Sequence, residues 1–230
     1  MAEKFAGFSP ELFAFLDELK HNNDRDWFND NKDRYEEWVR EPSLAFVRAM
    51  GPRLKKLSAH FVADDRRSGG SLMRIYRDTR FGKDKTPYKT NVGIQFRHEM
   101  GKDVHAPGFY VHLASEECFL GVGVWCPESS SLRRIRDTIV DDPALWKRTR
   151  DNKKFNSHFF LGGDSLKTAP RGFAKDHPLI DDLRRTSFIG VKNMTEKEML
   201  SPTIVADIAS AFTASRAFVH FLCDAIPVPR

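Results

Sequence analysis

The chain has 230 residues, 40% of them apolar and 30% charged, with 19 Phe and 4 Trp; that is enough apolar material for a substantial core and excludes a disordered or fibrous chain. No apolar run reaches the roughly 18–20 residues of a membrane span, and the opening residues lack a basic stretch followed by an apolar one, so the expectation is a cytoplasmic globular protein with no export signal and no membrane partner. The formal charge of +5 is uneven: residues 66–97 carry nine Lys and Arg against two Asp, a net +7, and the rest of the chain sums to −2.

Ser9-Pro10-Glu11 supplies a hydroxyl cap, a proline where no amide donor is needed and an acid for the first turn. It predicts a helix whose Leu12, Phe13, Phe15, Leu16 and Leu19 form one apolar stripe, ending at His21-Asn22-Asn23. Asp24 caps a second helix to about Arg40, in which Trp27, Asn31, Tyr35 and Trp38 share a face that is either core or a ligand platform. Glu41-Pro42-Ser43 predicts a break. A third helix follows with Leu44, Phe46, Val47, Met50, Leu54 and Leu57 inward, kinked or split at Gly51-Pro52.

Beyond Arg66-Arg67-Ser68-Gly69-Gly70 the pattern changes from helical to alternating, and four strands are expected at 71–78, 91–97, 108–114 and 118–126, joined as an antiparallel meander. Met73, Ile75, Val92, Ile94, Phe96, Phe109, Val111, Leu113, Leu120, Val122 and Val124 then form the apolar face. Parity puts Leu72, Arg74, Tyr76, Asp78, Asn91, Gly93, Gln95, Arg97, Tyr110, His112, Phe119, Gly121, Gly123 and Trp125 on the other. Three glycines on that polar face mark either a hollow that a ligand enters or a surface on which a helix packs closely.

Past the sheet, Pro127-Glu128 and Ser129–Ser131 cap a helix with Leu132, Ile135, Ile139 and Val140 inward and Arg133, Arg134 and Arg136 outward. Asp141-Asp142-Pro143 begins another, to about Arg150. Residues 151–178 are irregular, with a short strand near 157–161 and a long loop. A short helix at 179–185, an added strand at 187–192 and a terminal helix at 202–224 complete the chain. The reading is an α+β fold: one domain over 1–230 with a central antiparallel meander of four to five strands (70–126), helices N-terminal to it (1–60) and a mainly helical part C-terminal to it (128–230).

Cys118, Cys126 and Cys223 are an odd number with no C-x-x-C pair, so they read as reduced thiols, Cys118 and Cys126 as small buried hydrophobes at the ends of one strand.

The chemistry concentrates between 74 and 89. Arg74, Arg77 and Arg80 offer planar forks for carboxylate or phosphate oxygens, Lys83, Lys85 and Lys89 supply point charges, and Thr79, Thr86, Tyr88 and Thr90 add hydroxyls. Asp78 and Asp84 would hold the arginines in place, and Gly82 and Pro87 shape the turn. With Gln95, His112 and Trp125 on the glycine-bearing face and Trp27 on the second helix, these residues compose a candidate anion site. The competing account is a solvated, ion-paired hairpin in which each exposed pair contributes only about 0–1 kcal/mol.

Sharper motifs are absent: no Walker loop, no strand-borne G-x-G-x-x-G opening a helix, no G-x-S-x-G and no H-E-x-x-H. His98, His105 and His112 recur every seven residues but lack carboxylates at ligand spacing, so no metal site is expected and no cofactor can be named. His112 alone is a general-base candidate or a satisfied sheet histidine.

Several stretches together resemble one family. Phe8-Ser9-Pro10, Asn23-Asp24-Arg25-Asp26-Trp27-Phe28 with Asn31-Lys32, the run from Gly70 through Arg74-Ile75-Tyr76-Arg77-Asp78-Thr79-Arg80-Phe81 to Lys83-Asp84-Lys85-Thr86-Pro87-Tyr88-Lys89-Thr90, Pro107-Gly108-Phe109-Tyr110-Val111-His112, and Leu166-Lys167 with Gly172-Phe173 are similar to the DUF2461 family. The resemblance spans nearly the whole chain; Gly82 stands where the family pattern leads one to expect a serine, removing one hydroxyl from the turn. It implies a single cytoplasmic domain organised around the central run and supplies no substrate.

No reaction is legible in these residues, only a site. The leading reading is binding of a phosphate- or carboxylate-bearing small molecule, with or without catalysis. The alternatives are nucleic-acid binding, favoured by Tyr76, Phe81 and Tyr88 among the cations, and a scaffold whose hairpin docks an acidic partner.

Overall fold

The computed structural model describes residues 5–80, 82–101 and 106–230; Phe81 and His105 lie outside the described residues. Five antiparallel strands form one sheet in the order β1-β2-β3-β5-β4: β1 Val92–Arg97, β2 Gly108–Leu113, β3 Cys118–Val124, β4 Phe160–Gly162 and β5 Phe188–Met194. The first three are the predicted meander, and β5 extends it beside β3 with Leu120 opposite Lys192 and Val122 opposite Gly190.

The strand expected at 71–78 does not form as one. Leu72 bridges Ile94 and Tyr76 bridges Tyr88, so between the bridges three residues on one arm face five on the other and the ladder is interrupted around Lys89, Thr90 and Asn91. Ser71 and Met73 still cover the open edge of β1: Gln95 N–H donates to the Ser71 carbonyl at 2.8 Å and Met73 N–H to the Gly93 carbonyl at 2.9 Å. The interruption also breaks the alternation. Leu72 packs against the core and Ile75 is buried, whereas Met73, placed on the apolar face by parity, is exposed beside Arg74.

α1 (Pro10–His21) starts at Ser9-Pro10 and buries its predicted stripe, and α2 (Arg25–Asp30) is capped by Asp24, whose carboxylate accepts the Trp27 N–H at 2.9 Å. The break expected at 41–43 is absent. After α3 (Lys32–Arg34) the chain widens into a π-helix over Tyr35–Arg40, where Glu41 N–H reaches back to the Glu36 carbonyl, and runs on as α4 (Glu41–Leu57). The wide turn accommodates Pro42, which has no N–H to give, and the Ser43 hydroxyl donates to the Val39 carbonyl at 2.6 Å. α4 passes Pro52 without splitting.

α5 (Ser129–Asp141) and α6 (Pro143–Arg150) follow prediction, but Arg136 is buried and Val140 exposed, the reverse of their expected orientations. α7 (Lys153–Asn156), α8 (Ile180–Leu183) and α9 (Glu196–Met199) are short. The predicted terminal helix is two, α10 (Ile204–Ala214) and α11 (Arg216–Ala225). Buried Ser215 separates them, its hydroxyl returning to the Phe212 carbonyl at 2.8 Å in competition with the helical ladder. Cys126, expected buried, is exposed with φ 45°, because pairing ends at Val124 and the chain turns away there; Cys118 and Cys223 are buried.

The apolar face of the sheet packs on α4, α10 and α11. Phe96 meets Phe46 at 6.3 Å between ring centroids, Phe109 meets Phe212 at 4.6 Å, and Trp146 lies against Phe188, Phe218 and Phe221. One continuous apolar cluster joins N-terminal helices, sheet and C-terminal helices. No helix among the described residues is long and apolar enough to cross a membrane.

Candidate functional site

The run from 74 to 89 leaves the edge of β1 as a hairpin whose neck is tied by two backbone bonds, Arg77 N–H to the Pro87 carbonyl at 2.9 Å and Lys89 N–H to the Ile75 carbonyl at 2.7 Å. Tyr88, expected to offer its hydroxyl to a ligand, is the anchor. It is buried, stacked on Phe28 at 4.1 Å between centroids, and burial pushes its phenol pKa up. Asn23 holds it from the other side, its Oδ1 accepting the Tyr88 N–H and its Nδ2 donating to the Tyr88 carbonyl, both at 3.0 Å.

Most of the cations are engaged. Arg77 reaches both the Asp84 carboxylate and the Thr86 hydroxyl, and Asp84 is held down at about 2 chiefly by that arginine. Asp84 also accepts the Thr86 N–H at 2.9 Å, as an Asx turn. Arg80 forks onto Asp78 at 3.0 and 2.7 Å, which lowers the Asp78 pKa, and Lys85 donates to the Thr79 carbonyl at 2.8 Å. Arg66 pairs with Asp64, Arg67 with Glu36, and Arg97 donates to the Gln95 side-chain oxygen.

Three remain. Among the described residues the side chains of Arg74, Lys83 and Lys89 make no hydrogen bond or ion pair. Arg74 is exposed and within electrostatic range of both Asp78 and Lys89. Lys89 is half-buried, and its pKa is lowered first by burial and then by Arg74.

At Gly93 and Gly121 the glycine-bearing face is neither an open hollow nor covered by a helix but filled from within. A Cβ on Gly93 would lie 2.8 Å from the Tyr110 hydroxyl and 3.0 Å from the Met73 sulfur, and one on Gly121 would lie 3.4 Å from Tyr110 Cβ. Tyr110 therefore leans over two of the glycines. Its hydroxyl shares a 3.0 Å hydrogen bond with His112 Nδ1, and the imidazole stacks on Phe119 at 4.6 Å. Burial drives both titrations away from neutrality, Tyr110 up to about 12 and His112 down, so a neutral phenol meets a neutral imidazole.

The other candidates are scattered. Gln95 is half-buried and occupied by Arg97, Trp125 is 74% exposed beyond the end of β3, and Trp27 is half-buried with its ring 5.6 Å from Phe15. Asn23 was missed because its partner is 65 residues away and nothing local marks it. Among the described residues no group of three or more His, Cys, Asp or Glu is placed to hold a metal.

No curated protein and no solved structure matches the chain. A family model described as "conserved hypothetical protein (DUF2461)" matches residues 11–221, which takes in the anchored hairpin, its Asn23 clamp and the whole sheet, and the chain belongs to that family.

Proposed function

We propose that this protein binds a phosphate- or carboxylate-bearing small molecule at the neck of the hairpin, with Arg74 and Lys89 as its direct contacts. The observation that carries the reading is the pair itself: two like charges close enough to depress the Lys89 pKa, one of them half-buried, and neither hydrogen-bonded or ion-paired among the described residues. An anion between them would relieve the repulsion and the desolvation together. Arg77, Asp84, Thr86, Arg80 and Asp78 are then the brace that fixes the loop from which the two cations project.

Thermal-shift and calorimetric titrations over phosphates, nucleotides and organic acids test this. A ligand should stabilise the wild type, and Arg74→Ala and Lys89→Ala should each remove that effect while the free proteins melt within a few degrees of wild type. Absence of stabilisation by any of these anions defeats the proposal.

Tyr76 favours a second reading. It is 53% exposed beside these cations and could stack a nucleobase. That reading requires binding of single-stranded DNA or RNA that falls steeply with salt and is lost in Tyr76→Ala.

A further inference from the structure

A second basic feature lies apart from the hairpin and shares no residue with it. Where the last turns of α4, the segment around α7, and the α10–α11 junction meet, they line an open cleft of about 820 Å3. Arg53 and Lys56 come from α4, Lys154 and His158 from α7 and the residues after it, and Arg216 and His220 from α11. The floor between them is alanine, serine and threonine of α10 and α11, so little side-chain bulk stands in the way.

Two properties set this cleft apart from an ordinary solvated surface. Among the described residues no Asp or Glu lines it. Among the described residues, none of the four Lys and Arg side chains makes a hydrogen bond or an ion pair, although the chain has 32 acidic residues that could have been placed opposite them. Four exposed positive charges from three separate segments thus line one cleft with no carboxylate in its lining, an arrangement that favours an anion of matching charge. His220 feels the same field. Its pKa is lowered by burial first and then by Arg230 and Arg216, with Asp224 opposing.

An adjoining cavity of about 580 Å3 shares His158 and Ser210 with the first and adds Lys192 and Lys197. It also holds two acids, Glu198 and Asp207, which offset those lysines, so the uncompensated positive charge belongs to the first cleft.

We infer that this cleft is a binding site for a small molecule bearing several phosphate groups, held by Arg53, Lys56, Lys154 and Arg216. The volume falls in the range of small-molecule sites, roughly 300–1,000 Å3. Two guanidinium forks with two ammonium groups suit adjacent phosphates better than a single carboxylate. Among the described residues the lining contains no Trp, Tyr or Phe on which bases could stack, which sets it against a single-stranded nucleic-acid channel.

The test uses the full chain and sodium tripolyphosphate as the probe, titrated calorimetrically at about 0.15 M salt, where exposed charges act over roughly 8 Å. In the Arg74→Ala/Lys89→Ala background, which removes the hairpin site, tripolyphosphate should bind with one site per chain and at least about tenfold more tightly than orthophosphate. The double variant Arg53→Gln/Arg216→Gln should weaken it by about ten- to a hundredfold, the loss expected when charge-assisted hydrogen bonds are removed. All four cations are exposed, so these variants should keep the wild-type circular dichroism. Lys56→Gln/Lys154→Gln is the second pair and should act in the same direction. Arg74→Ala/Lys89→Ala should itself leave tripolyphosphate binding at the cleft unchanged, which separates this site from the hairpin proposal. No binding at this salt, or equal loss in the hairpin variant, overturns the inference. So does a single-stranded oligonucleotide that displaces tripolyphosphate at lower concentration and depends on the same four residues, because the ligand would then be nucleic acid.

Discussion

Asn23 stands in for a missing strand beside Tyr88. The ladder between the hairpin arms is broken beyond Lys89, and the Asn23 side-chain amide supplies both the acceptor and the donor that the Tyr88 peptide would otherwise lack, each at 3.0 Å. Phe28 stacks on the Tyr88 ring at 4.1 Å, so the start of α2 grips backbone and side chain of one residue together.

Asn23→Ala should therefore loosen the hairpin without unfolding the sheet. Two backbone groups of a buried residue lose their partner, costing about 1–3 kcal/mol, and amide exchange at Arg77 and Lys89 should accelerate while that in β2 and β3 does not. Asn23→Asp keeps the acceptor but sets a carboxylate oxygen against the Tyr88 carbonyl, so it should be no better than alanine. Unchanged protection at Arg77 and Lys89 in both variants would show that Phe28 alone holds the loop.

The strand glycines separate two effects that look alike in the sequence. Gly123 sits at φ 113°, and a Cβ there would collide with the Phe188 carbonyl, whereas one on Gly121 meets only Tyr110 at ordinary distance. Gly123→Ala should cost about 2 kcal/mol or more, and Gly121→Ala less than about 1 kcal/mol. Urea midpoints for the two variants decide it. Equal costs would mean that β3 relaxes around position 123.

Local rules reached those elements whose cause is local. Asp24 and Pro143 mark their helix starts, and strict alternation marks β1, β2 and β3 with every inward residue from Val92 to Val124 buried. The misreadings come from partners distant in sequence. Parity carried Met73 inward because nothing nearby shows that the ladder slips beyond Lys89. The glycines read as a hollow or as a surface for close helix packing because alternation places Tyr110 beside Gly93 and Gly121 without saying that its ring leans across them. Arg136 read as solvated among like charges, yet it donates to the Arg185 carbonyl at 2.8 Å. The cations of the second cleft span positions 53 to 216, so no window of sequence shows them as a cluster.

His98 gives the fold a dependence on pH. It is buried, with Nε2 2.9 Å from the Pro229 carbonyl and Nδ1 accepting the Met100 N–H at 3.1 Å, a pattern that only the neutral ring satisfies. Burial lowers its pKa; the Pro229 carbonyl opposes this, His60 adds to it and Glu99 opposes it. A histidine depressed in the native state contributes stability that is fully present above its unfolded value of about 6.5 and is lost as pH falls through that value toward the native one. His112 and His220 are depressed as well and act with the same sign. Unfolding free energy should therefore fall between pH 7 and 5.5, with a slope of up to about 1.4 kcal/mol per pH unit for each such histidine, and His98→Gln should flatten it. An unchanged slope in that variant would mean that His98 is protonated equally in the folded and unfolded chains.

Asp182 is a buried carboxylate between Arg150 and Arg185. It is 5% exposed, accepts from Arg150 Nη1 at 2.7 Å and lies 3.7 Å from Arg185 Nε, while Arg136 bonds the Arg185 carbonyl. Arg150 would keep its fork onto Asp151, but without Asp182 the Arg185 and Arg136 guanidiniums face a partly desolvated place with no carboxylate, and that is the costly way to break a buried pair. Asp182→Ala should destabilise by about 3 kcal/mol or more. Arg136→Met should cost less, because it removes a buried cation whose Nε already lacks a partner and whose pKa is lowered by burial and by Arg133. Combining the two should recover part of the Asp182→Ala loss, since one fewer positive charge is then left unopposed. A double-mutant cycle on denaturant midpoints measures that coupling. Strict additivity would show that Arg136 and Asp182 do not interact, and that Arg136 acts through its bond to the Arg185 carbonyl alone.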